Sequence, residues 1–116
     1  MDNNRIYKIL FSTVYPLYIQ KVEKKGRTKE ELDTVIFWLT GYNEITMQQQ
    51  IDQKNDFETF FAQAPNMHPN AHKITGMICG YRIEEIEDEV IRKMRYMDKL
   101  VDELAKGRKM EKILRE

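Results

Sequence analysis

A basic cluster, Lys21, Lys24, Lys25, Arg27 and Lys29, surrounds Gly26 and Thr28. If one helix stops at Gly26 and the next starts after Thr28, a helix C-terminus and a helix N-terminus meet inside this cluster. Lys24 and Lys25 then stabilise the carbonyl end of the first helix. The free backbone N–H groups of Lys29 and Glu30, beside Arg27, are of the kind that bind phosphate or sulfate. Lys24, Lys25, Arg27, Thr28 and Lys29 are therefore candidate anion- or partner-binding residues.

The single cysteine, Cys79, shares the chain with two histidines, His68 and His72. Nucleophilic chemistry needs a thiolate, and hence an imidazole or a helix N-terminus close by. The run Ile74, Met77, Ile78 and Cys79 up to Gly80 reads instead as the end of a short apolar helix, where carbonyl groups disfavour a thiolate. A buried, inert Cys79 is the expectation. His68 and His72 have the four-residue spacing that places two ligands on one helix face, but Pro69 makes His68 a cap, and no matching cysteine or carboxylate lies near. No metal and no cofactor are expected. The carboxylates Glu84, Glu85, Glu87, Asp88 and Glu89 read as solvated, since acid–base catalysis needs one of them desolvated. Glu31 to Gln53 can be laid out as a helix-turn-helix with Gln48, Gln49 and Gln50 as base readers. Phe37 is too large for that motif, and Glu44 and Asp52 put acid where phosphate contacts are needed.

The elements that must carry these groups are marked by turn and cap residues. Thr28 followed by Glu31 is a capping box opening a helix with Leu32, Val35, Ile36 and Leu39 on one side, and Gly41 ends it. Pro16 suits the first turn of the preceding helix, to about Lys25. Asn43 caps a helix to about Gln53, and Asp56 caps a short one whose Phe57, Phe60 and Phe61 are core. Asp88 caps the longest helix, with Val90, Met94, Met97, Val101 and Leu104 as its apolar seam up to Gly107. About 19 residues at 1.5 Å each span about 28 Å, enough to act as the spine of the molecule. Met110, Ile113 and Leu114 form a last short helix. Ile6 to Phe11 and Ile74 to Ile83 fit either helix or strand, because short apolar runs do not distinguish the two. Val35-Trp38-Leu39-Gly41-Tyr42 is echoed by Ile74-Met77-Ile78-Gly80-Tyr81, through a repeated helix, Gly-Tyr, helix unit or through chance.

The 116 residues suit one domain that buries about two-thirds of its unfolded surface. A content of 33% charged and 41% hydrophobic residues excludes a disordered or membrane protein. Nineteen basic against nineteen acidic residues argue against bulk capture of nucleic acid or an anionic membrane. Ser12, Thr13, Tyr15 and Pro16 interrupt the apolar run after Arg5 and Lys8, so a secretory leader is not expected. One cysteine without a partner fits a reducing, cytoplasmic compartment.

The strings Val14-Tyr15-Pro16, Lys25-Gly26-Arg27-Thr28-Lys29, Trp38-Leu39-Thr40-Gly41-Tyr42 and Asp56-Phe57-Glu58-Thr59-Phe60-Phe61, with the tail from Asp98-Lys99-Leu100 to Leu114, resemble the bacterial domain of unknown function 2200 family. The resemblance runs from about Ile6 onward. It implies a compact bacterial protein and brings no reaction, ligand or site residue with it.

The expectation is an all-α single domain, residues 1–116, of about five to six helices with a long C-terminal helix. Its leading functional reading is a small cytosolic interaction or binding module without catalytic activity, working on a protein partner or by self-association through the long helix, and not on a membrane. A helix-turn-helix nucleic-acid binder is the alternative. A small enzyme using a carboxylate or Cys79 is the second.

Overall fold

The computed structural model describes residues 3–115 and is mainly helical. Helix α1 spans Asn3–Tyr7, α2 Phe11–Lys24, α3 Lys29–Thr40, α4 Glu44–Asp52, α5 Phe57–Ala62, α6 Glu89–Ala105 and α7 Met110–Ile113. Strands β1, Met77–Ile78, and β2, Tyr81–Arg82, form one antiparallel hairpin between two single 3₁₀ turns, Ala71–Lys73 and Ile83–Glu85. The radius of gyration, 13.3 Å, is that of a folded chain of this length, for which about 13 Å is expected.

The punctuation residues act as their chemistry dictates. Thr28 Oγ1 accepts from the Glu31 N–H (3.1 Å), and Glu31 Oε1 accepts from the Thr28 N–H (3.0 Å). Asn43 and Thr46 make the corresponding reciprocal pair at α4. Asp56 and Asp88 cap α5 and α6 through the N–H groups of Thr59 (2.8 Å) and Ile91 (3.0 Å). Gly41, at φ 80°, closes α3 with its N–H on the Phe37 carbonyl. The chain after α5 runs against this point, where Asn66 and His68 donate their N–H groups to the carbonyls of Thr40 and Leu39.

Helices α2, α3 and α6 pack on one another, with α5 and α7 on α6 and α4 on α2. Phe57, Phe60 and Phe61 are buried as expected, and Phe11 stacks on Phe60 with ring centroids 4.2 Å apart. In α6 burial extends beyond the expected seam to Tyr96, Leu100, Glu103 and Ala105. The apolar face that suggested self-association is thus consumed inside the chain, against α2, α3, α5 and α7.

Two local expectations are corrected, and the repeat that the sequence leaves open is decided. Helix α2 begins at Phe11, five residues before Pro16, which lies inside it. Phe11 is held there because the chain on either side of Leu10 is bridged to the start of α5, with the Phe11 N–H on the Asn55 carbonyl (3.2 Å) and the Phe57 N–H on the Ile9 carbonyl (2.9 Å). The preferred helix ending at Gly80 is instead the strand pair. Cys79 (φ 52°) and Gly80 (φ 82°) both take the left-handed conformation, which is the geometry of a two-residue hairpin loop whose twist matches the flanking strands. The Gly41 and Gly80 segments are therefore no structural repeat, since the first glycine ends a helix and the second turns a hairpin.

Candidate functional site

At the basic junction the structure brings the predicted residues together and gives several of them internal work. Arg27 donates from Nε and Nη2 to Glu31 Oε2 (3.0 and 2.8 Å), and from Nη1 to the carbonyls of Leu104 (3.3 Å) and Arg108 (2.8 Å). It thereby ties the start of α3 to the end of α6, where backbone carbonyls lack helical partners. The Arg27 guanidinium, followed by the Thr28 N–H, holds the Glu31 carboxyl below the usual carboxylate range. An anion at this N-terminus would face that carboxylate. Lys29 pairs with Asp33 (2.8 Å), and Asp33 also accepts from the Tyr15 hydroxyl. Lys21, Lys24, Lys25, Thr28 and Lys29 are exposed, and of the lysines Lys24 and Lys25 make no ion pair among the described residues.

The other sequence candidates are dispersed. Cys79 is exposed at the hairpin tip and not buried, because the turn that replaces the expected helix lifts it out of the apolar layer. His68 stacks on Trp38, centroids 4.1 Å apart, while its Nδ1 accepts from the Asn70 N–H (3.0 Å). His72 is exposed and sits 2.9 Å from the Pro69 carbonyl. Gln50 is buried and bonded to Gln63 and Asn55, so of the three supposed base readers only Gln48 and Gln49 face outward. Gln48 itself donates to Asp52 (2.9 Å), and these residues with Glu44 and Ile45 line a shallow, acid-flanked depression on α4. Glu84 pins the hairpin by accepting from the Gly76 N–H (3.1 Å), and backbone hydrogen bonds, at its own N–H and at Gly76, lower its carboxyl.

A site absent from the sequence reading lies where the hairpin, α1 and the first two turns of α6 converge. It is a cleft of about 430 Å³, within the range of small-ligand sites. Ile6, Ile86 and Ile91 give it apolar walls, and Tyr81, Arg82 and Arg95 add an aromatic ring and two guanidinium groups. Arg95 sits over the Tyr81 ring, 5.1 Å from its centroid, and its Nη1 donates to Asp98 (2.9 Å). Asp98 in turn accepts from the Tyr18 hydroxyl (2.6 Å); burial and this carboxylate push Tyr18 well above the ordinary tyrosine value. Arg82 is half-exposed and approaches Glu85 only to 3.9 Å, beyond hydrogen-bonding distance. Asp88, also on the cleft, caps α6 and accepts from the Tyr7 hydroxyl. Sequence reasoning misses the cleft because it needs the hairpin to place Tyr81 and Arg82 beside Arg95, and the run up to Gly80 reads from its residues as the end of a helix. The Arg95–Asp98 spacing of three on one helix was its one legible trace.

Comparison with known proteins agrees with this architecture. The crystal structure of the uncharacterized protein SP1917 superposes with a TM-score of 0.89 at 42% sequence identity, over 98% of this chain and 93% of that one. No protein of curated function matches the sequence. The family model for uncharacterized proteins conserved in bacteria, DUF2200, matches residues 5–115. The chain accordingly belongs to the DUF2200 family.

Proposed function

We propose that this protein is a cytosolic, non-catalytic binding module that captures a small ligand in the cleft between the hairpin, α1 and α6. The observation that carries the reading is the lining itself. Isoleucine walls converge with a tyrosine and two arginines in a volume suited to a small molecule, the pattern of an apolar pocket with a few placed polar groups. Binding is favoured over chemistry because Asp88 already serves as helix cap and tyrosine acceptor, and a group so engaged is poorly placed to move protons. The single cysteine, without a partner in the chain, fits a reducing compartment.

Backbone amide shifts recorded against a diverse fragment set test the proposal. Hits are expected to move the amides of Gly80 to Arg82 and of Ile86 to Arg95. Shifts confined to α4 or to the Lys24–Lys25 corner would move the site elsewhere and overturn it.

A further inference from the structure

We infer that the cleft takes an amphipathic oxyanion, a carboxylate or phosphate carried on an apolar body. The inference rests on the binding reading above and goes beyond it in naming the charge and the shape of the ligand.

Charge is decided by which groups at the cleft are still open. Among the described residues Arg95 uses Nη1 for Asp98 and sits over the Tyr81 ring, while its Nη2 makes no hydrogen bond; its Nε is buried with no acceptor. Arg82 has its nearest carboxylate at 3.9 Å. Among the described residues the two guanidinium groups that line the cleft, Arg82 and Arg95, therefore keep N–H groups without acceptors, the Arg95 Nε among them being itself buried. A guanidinium binds a carboxylate or phosphate by parallel N–H···O bonds, and the Tyr81 ring and Asp98 hold the Arg95 guanidinium in place. The carboxylates nearby do not balance this. Asp88 accepts from the Ile91 N–H and the Tyr7 hydroxyl, while Glu85 and Glu87, the other carboxylates of the lining, are exposed to water, the Glu85 side chain to 73%. Shape follows from the remaining lining. Ile6, Ile86 and Ile91 are half-buried, and the exposed Tyr81 ring keeps apolar surface open that a ligand's hydrocarbon part would cover.

The test uses the full chain and five probes, octanoate, octyl phosphate, octanol, octylammonium and acetate, titrated while the amides of Gly80, Arg82 and Ile91 are followed. Octanoate or octyl phosphate is expected to saturate these shifts at least about tenfold more tightly than octanol, octylammonium or acetate. The comparison of the first two tells a carboxylate site from a phosphate site. Arg82→Ser, on a half-exposed side chain, is expected to weaken the anionic probes severalfold and leave octanol unchanged; Arg95→Met should do so more strongly, and if it fails to fold Arg82→Ser still decides. Octanol or octylammonium binding as tightly as the anions would overturn the charge assignment and leave the binding site standing. Acetate binding as tightly as octanoate would overturn the apolar part. Cleft amides unmoved by every probe would overturn both the inference and the binding reading beneath it.

Discussion

Asp33 shows how much of this molecule is decided by single hydrogen bonds between distant residues. It accepts from the Tyr15 hydroxyl and from Lys29, and two further tyrosine–aspartate pairs, Tyr7–Asp88 and Tyr18–Asp98, join residues about 80 positions apart. Burial, then the Asp33 hydrogen bond, raises Tyr15 to about 12, and burial alone raises Tyr42 to about 12, from an ordinary 10.0. Between those values the unfolded chain has lost protons that the folded chain still holds, so stability must fall as pH rises. Thermal unfolding is expected to be insensitive to these groups below pH 10 and to shift to lower temperature between pH 10 and 12. Tyr15→Phe should flatten part of that decline and, at neutral pH, cost about 1.5–3 kcal/mol for a lost hydrogen bond to a charged group, read by denaturant titration. An unchanged alkaline limb in Tyr15→Phe would remove Tyr15 from this account.

Two glycines that look alike in the sequence separate at the scale of elements. Gly26 and Gly41 each follow a helix and each has a positive φ, 83° and 80°. A Cβ on Gly26 would meet nothing within 4 Å, whereas on Gly41 it would lie 2.8 Å from the backbone nitrogen of Asn66. Both alanine substitutions carry the left-handed penalty of about 1–2 kcal/mol. Gly41→Ala is expected to cost distinctly more, because the Asn66 and His68 hydrogen bonds to α3 must also give way; equal losses in equilibrium unfolding would show that the chain after α5 yields freely. The caps and glycine stops of α3, α4, α5 and α6 were legible because each rests on residues within four positions. The hairpin was not, since Ile74 to Ile83 carries apolar residues at spacings that suit helix and strand alike. What settles it is tertiary: Lys99 of α6 donates to the Met77 carbonyl (3.1 Å), and the Ile83 N–H closes on Gly76 (2.9 Å).

Over the whole molecule, α6 is the spine the sequence predicted, and both α1 and α7 pack on it. No helix of the described residues is long and apolar enough to cross a membrane. At the C-terminal end of α6, buried Glu103 accepts from Arg108 (3.1 Å) and from Arg115 (2.7 Å), so the two arginines that flank α7 hold it down by neutralising a carboxylate removed from water. Arg115→Ala leaves that carboxylate one partner short and should cost about 1–3 kcal/mol. If denaturant unfolding of this variant matched the parent, the C-terminal latch would be decorative. By itself the sequence determined the helical class, the capped boundaries of α3 to α6, the aromatic core of α5 and the seam of α6, because capping and amphipathic periodicity act within a few residues. Only the tertiary structure decided that Arg27 clamps two helices, that Cys79 is exposed, that the α6 seam is spent inside the chain, and that Tyr81, Arg82 and Arg95 share a cleft. Those outcomes join residues distant in the chain, and such pairings are set by packing and by the hydrogen-bonding needs of buried groups, which leave no local periodic trace.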